Sequence, residues 1–200
     1  MLMSTWHFPE SPSPWVVRFA PLIPPGTQAL DLACGAGRHA KLLASLGHRT
    51  LAVDRDLSRL GDVTMLPLVE PFQADLESGD WPLQGRQFGG IVVTNYLHRP
   101  LFPHLLAALQ PSGVLIYETF ARGNERFGGV SNPDFLLLPA NCSTQCADWR
   151  GLSRTRTWWW ISQSPPQFSI SVLYGIRAAA YFRLWGIRVH SWALMVRQRS

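Results

Sequence analysis

The sequence predicts an α/β protein built on a doubly wound, mainly parallel sheet. Two observations carry that reading. Apolar runs of buried-strand type recur at 29–33, 50–53, 88–95 and 114–118, 72–76 reads as a further strand with its exit, and helical segments lie between several of them. The first two runs also flank a glycine turn and a helix, which makes a βαβ unit with a right-handed crossover. Two hundred residues are enough for one domain with a real core.

The βαβ unit spans residues 28–56. Ala29-Leu30-Asp31-Leu32-Ala33 is the first strand and Cys34-Gly35-Ala36-Gly37 the turn. Residues 39–46 have helical spacing, with Leu42, Leu43 and Leu46 on one face and Gly47 as the stop. Thr50-Leu51-Ala52-Val53 is the second strand, and Asp54 closes it. Free N–H groups at the start of the helix favour anionic groups, and glycine lets a ligand approach the main chain. An acid closing the second strand is placed to accept hydrogen bonds from ribose hydroxyls. The unit therefore predicts a nucleoside-cofactor site. Gly35-x-Gly37-x-x-Ala40 followed by Asp54 also fits a dinucleotide fingerprint. Asp31 argues against that, because a carboxylate four residues before Gly35 lies close to where a pyrophosphate would bind. It suits a cationic ligand.

Residues Leu30 to Gly37 resemble motif I of class I S-adenosylmethionine (SAM) methyltransferases, and the resemblance extends over about residues 15–138. It implies a Rossmann-like sheet ending in a hairpin, with SAM as cofactor. Asp31, Gly35 and Gly37 would hold the methionine end and Asp54 the ribose. Asp75 with Leu76, after the third strand, would take the adenine, and Asn95 would meet the cofactor at the exit of the fourth. Tyr96 and His98 are the catalytic candidates, Tyr96 lining the gap to the acceptor and His98 serving as a base near neutral pH. Two plainer readings stay open: His98 as a surface histidine beside Arg99, and Asp75 as a loop acid beside Glu77. Glu118 faces the same cleft or caps the next helix, and Cys34 packs in the turn. No metal is required. The compact form resembles tellurite-resistance-like enzymes and implies a small-molecule acceptor. The alternatives are a SAM binder without catalysis, or a nucleic-acid or protein methyltransferase. No Asn-Pro-Pro-Tyr motif supports the last, since the fourth strand exits through Asn95-Tyr96-Leu97-His98.

Composition narrows the partners. The first residues have no basic region followed by an apolar core, and no uncharged apolar run reaches membrane-spanning length. Three cysteines make no disulfide framework, so a reduced, cytoplasmic protein is expected. The net charge of +5 is unevenly spread: residues 1–138 carry ten Lys+Arg against twelve Asp+Glu, hence −2, and residues 139–200 carry eight Arg against Asp148, hence +7. The body is mildly acidic, so neither nucleic acid nor a membrane is an expected partner.

At the amino end, a proline-rich leader with Trp6, Phe8, Trp15 and Phe19 predicts a short helix before Pro21. In the family such a leader packs over the cofactor pocket; an apolar arm covering the sheet is the other reading. Asp56 is a plausible cap for a helix start at residues 57–60. The character changes at Pro139, which divides a SAM-binding domain, 1–138, from an aberrant basic tail, 139–200. Cys142-x-x-x-Cys146 in the tail is too little for a metal site. Back-translating from Pro139 with GC-rich codons and reading from the third base yields Gly-Glu-Leu-Leu and a helical sequence. The same offset turns Trp158-Trp159-Trp160 into three valines within a strand–turn–strand pattern. Residues 139–200 therefore read as an out-of-frame translation, in which the last strand pair is missing or non-native and the fifth strand is an unprotected edge; a genuine divergent tail is the other reading.

Overall fold

The computed structural model describes residues 10–127 and 130–137, together with three strands further on, given as backbone. Helix α1 (Pro14–Phe19) runs into a 3-10 turn, Ala20–Leu22. Strand β1 (Ala29–Leu32), helix α2 (Arg38–Ser45) and strand β2 (Thr50–Asp54) form the βαβ unit. A 3-10 segment, Leu57–Met65, leads to β3 (Val69–Gln73), and β4 (Phe88–Thr94), α3 (Phe102–Ala107) and β5 (Leu109–Phe120) follow. The later strands are β6 (Thr157–Ser162), β7 (Ser169–Tyr174) and β8 (Leu194–Val196).

All eight strands share one sheet in the order β3-β2-β1-β4-β5-β7-β6-β8. Strands β1 to β5 are parallel, β7 is antiparallel to both β5 and β6, and β8 is parallel to β6. Every residue of β1 and β4 is buried, as expected of strands covered on both faces. One face carries Leu30, Val53, Ile91, Val93, Leu115 and Tyr117 under Phe102 and Leu105. The other carries Val92, Val114 and Ile116 under Val16, Phe19 and Leu43. No helix among the described residues is long and apolar enough to cross a membrane.

Four expectations are corrected. The face that α2 buries is His39, Ala40 and Leu43, while Leu46 is 44% exposed. Its rotation is pinned at its first turn, where the Ala40 N–H donates to Asp31 Oδ2 (2.8 Å). The third strand lies at Val69–Gln73, earlier than 72–76, because Thr50 pairs with Val69 and Asp54 with Gln73. Pro71 reads as a breaker in sequence, but β3 is a sheet edge, where a missing N–H is tolerated. The leucine-rich run from Phe102 predicts a helix as far as Leu109, but α3 stops at Ala107, because Leu109 already pairs with Phe88; a bulge after Phe88 absorbs the residues up to Gly113. Finally, β5 is not an edge: its residues 115–120 pair with β7. Residues 157–162 and 169–174 are rich in Trp, Ile, Val, Thr and Tyr, which favour strands in whatever frame they arose. The divide near Pro139, the Cys142–Cys146 pair and the leader's Trp6 and Phe8 lie outside the described residues. The predicted helix ahead of Pro21 is α1, and Asp56 caps the 3-10 segment by accepting the Ser58 N–H (3.0 Å).

Candidate functional site

From β1 the chain moves to β2 and β3 on one side, and from β4 to β5 on the other. The order therefore reverses between β1 and β4, and the crevice at their carboxyl ends is where such sheets hold ligands. The backbone is unusual at both exits. Ala33, just after β1, has φ 53°, and Asn95, just after β4, has φ 56°. Non-glycine residues seldom hold the left-handed region, and such strain gathers at functional sites.

The two glycines of the turn serve different ends. Gly35 has φ 54°, and a Cβ built there meets nothing within 4 Å, so the main chain faces open space in which a ligand could lie. Gly37 has φ 71°, and its Cβ would stand 2.6 Å from Leu60 and 2.9 Å from Val63. Gly37 lets the 3-10 segment close against the start of α2, of which it is the N-cap. It has no side chain to cap with, and Asp31 supplies the missing acceptor from β1. Asp31 is 1% exposed, and burial pushes its carboxyl up to about 7, with Asp54 adding to the rise and the Ala40 bond and Arg38 opposing it. It lies beneath the turn rather than in the open crevice.

Asp54 ends β2 with a half-buried carboxylate. Its Oδ2 accepts the Gly35 N–H (2.8 Å) and its Oδ1 the Asp56 N–H (3.1 Å), which leaves acceptor sites on both oxygens. Asp75 is exposed beyond β3, and its Oδ1 accepts the Glu77 N–H (2.9 Å); Leu76 is buried in the core. At the β4 exit, the Asn95 N–H donates to the Glu118 carbonyl (2.8 Å), which aligns the exits of β4 and β5. The Tyr96 hydroxyl donates to Glu77 Oε1 (3.4 Å), spanning the exits of β3 and β4. Burial, with Glu77 alongside, holds the Tyr96 phenol well above its ordinary range. His98 is half-buried and its carbonyl caps a short 3-10 turn, accepting the Leu101 N–H (3.1 Å). Cys34 packs against Ala40, Ala52 and Leu60, and burial pushes its thiol up, away from reactivity. Gly35, Asp54 and Asn95 thus meet around the β1–β4 crevice with Asp31 buried beneath the turn, and Asp75 and Tyr96 border it on the β3 side.

A polar network on the opposite side was not legible in sequence. His39, 1% exposed, takes the Ser13 N–H on Nε2 (3.1 Å), and its Nδ1 lies 3.3 Å from Thr94 Oγ1. The Ser13 hydroxyl donates to Glu118 Oε2, and Arg38 Nη1 donates to the Ser11 carbonyl (3.2 Å). A histidine in the first turn of a short helix carries no local signal of burial. Its partners are 26 and 55 residues away.

No family model matches the chain, and no curated protein matches it in sequence. Solved structures do. The plantazolicin methyltransferase BpumL, in complex with SAH, superposes with a TM-score of 0.56 over 80% of each chain at 11% identity. The chain has a Rossmann-like methyltransferase fold. CcbJ from Streptomyces caelestis matches at 18% identity over 60% of this chain and 55% of its own, with TM-score 0.49. Coclaurine N-methyltransferase, bound to N-methylheliamine and SAH, matches at 21% over 53% of this chain, with TM-score 0.46. The match spans 34% of that enzyme's length.

Proposed function

We propose that the chain binds SAM in the crevice between β1 and β4 and transfers its methyl group to a small-molecule acceptor. The observation that carries this reading is Asp54. Its carboxylate is fixed by Gly35 and Asp56 and keeps free acceptor sites, beside a glycine whose Cβ direction is open. Two ribose hydroxyls fit that acceptor, and the open face of Gly35 fits the methionine end. Buried Asp31, held near neutrality by burial, suits a nearby positive charge, which would draw it into the ionised form. When bound, the cofactor supplies a methyl carbon already activated by a sulfonium. The protein's part is then to align the acceptor, exclude water and, where the acceptor needs it, take a proton. Asp75 and Leu76 are the residues for the adenine. Tyr96, with its hydroxyl held by Glu77, lines the crevice and keeps its proton; His98 is the candidate base. A small acceptor accords with the acidic body of the chain, and a cytoplasmic setting with the free, buried thiol of Cys34.

Calorimetry with SAM and its demethylated product tests the cofactor assignment. Asp54→Ala should weaken SAM binding roughly ten- to a hundredfold, the worth of two hydrogen bonds to hydroxyls. Affinity unchanged by that substitution overturns the assignment. Turnover against a panel of small acceptors then separates enzyme from binder.

We also propose that residues 139–200 are an out-of-frame translation of the segment that completes this fold. Support comes from the single offset that restores both a helix after Pro139 and a strand pair around Trp158-Trp159-Trp160. Sequencing the coding DNA over these codons decides it: a one-base difference restoring Gly-Glu-Leu-Leu after Pro139 is expected, and an intact frame refutes it.

A further inference from the structure

Helix α1 is preceded by a short arm, residues 10–13, which lies across the carboxyl edge of the sheet. Ser13 is the N-cap of α1: its hydroxyl accepts the Trp15 N–H (3.2 Å) and donates to Glu118 at the end of β5. Its own N–H donates to His39 Nε2 in the first turn of α2. This last bond fixes the chemistry of the ring. Nε2 must present a lone pair, so the proton sits on Nδ1, where it meets Thr94 Oγ1, the last residue of β4. Burial, helped by the Arg38 charge, keeps the imidazole neutral down to about 3, so a single tautomer persists through the ordinary pH range. Thr94 immediately precedes the left-handed Asn95. One ring therefore joins three parts of the site that come from distant stretches of sequence.

We propose that His39 is a positioning residue of the site, whose neutral ring clamps the amino-terminal arm through Ser13 and the exit of β4 through Thr94. The clamp makes the arm, the start of α2 and the Asn95 turn one rigid wall of the crevice. It rests on the cofactor reading above for its effect on binding, and on the hydrogen bonds alone for its effect on the arm. Glu118 and Arg38 brace the same arm through Ser13 and Ser11. A ligand in the crevice then meets a wall already ordered, at little further cost in entropy.

Three variants test this. His39→Ala removes both bonds, and His39→Gln retains an acceptor oxygen and an N–H donor. Ser13→Pro deletes the arm's N–H and hydroxyl at a residue whose φ of −57° a proline accepts, and leaves the core side chains intact. Hydrogen exchange of the amides at residues 15–19 reads the arm, and calorimetry with SAM reads the site. Exchange should quicken roughly fivefold or more in His39→Ala and Ser13→Pro, with SAM bound more weakly by a similar factor, the scale of one or two hydrogen bonds. His39→Gln should lie closer to the parent in both. Unchanged exchange in Ser13→Pro and His39→Ala overturns the clamp. So does a His39→Gln variant no better than His39→Ala, because the ring would then only fill space. Faster exchange with SAM affinity unchanged overturns the link between arm and site. A parent chain that binds no SAM fails the functional reading instead, and the exchange comparison, which needs no ligand, still decides the clamp.

Discussion

Gly35 and Gly37 look alike in sequence and part company in space. At Gly37 an added methyl meets Leu60 and Val63 below 3 Å while the backbone holds φ 71°. Gly37→Ala should therefore cost about 2–4 kcal/mol, combining overpacking with a left-handed alanine. At Gly35 only the backbone term applies, about 1–2 kcal/mol, since nothing stands within 4 Å. That methyl would point where a ligand is proposed to lie. Urea unfolding and SAM titration of the two variants should thus rank them in opposite orders. Equal stability losses would contradict the packing described for Gly37.

Helix α2 is short, has a glycine for its N-cap, and depends on two buried titratable groups at its first turn. These respond to pH in opposite senses. Asp31 is raised from 3.8 to about 7, so between those values the unfolded chain has lost a proton that the folded chain still holds. Its contribution to stability therefore falls as pH rises through that window. His39 is lowered from 6.5 to about 3, so there the unfolded chain gains a proton that the folded one refuses, and stability falls as pH drops. Asp31→Asn removes the first effect while keeping an oxygen for the Ala40 N–H. Its melting temperature relative to the parent should climb from about pH 4 to about pH 7. A constant difference across that range would mean that Asp31 is already ionised in the folded chain.

The molecule as a whole depends on strands that the first 138 residues do not contain. Five parallel strands would leave β5 unpaired along one side, and a long bare edge invites pairing with other chains. Strand β7 covers residues 115–120 of that edge. Truncation after Leu137 should therefore increase self-association relative to the full chain, read by light scattering at matched concentration. A truncated chain that associates no more than the full chain would show that β7 does not protect the sheet. The charge follows the same division: the excess of arginine lies in residues 139–200, while the part that forms the crevice is mildly acidic.

The sequence by itself determined the fold class, the βαβ unit and the place of Asp54 at the end of β2 beside the glycine turn. Each depends on short-range pattern: a buried run, a glycine turn at positive φ, and an acid at the end of the next strand. The start of the 3-10 segment after Asp56 and the leader helix before Pro21 were legible for the same reason, since a cap and a proline act locally; the end of the segment at Met65 was not. Tertiary structure alone decided which face α2 buries, that Asp31 caps a helix from another element, and that Gly37 yields to Leu60 and Val63. It also decided that His39 joins Ser13 to Thr94. Those roles are set by residues far apart in the chain that meet only when the sheet assembles, and a buried polar group takes whatever partner that assembly leaves within reach.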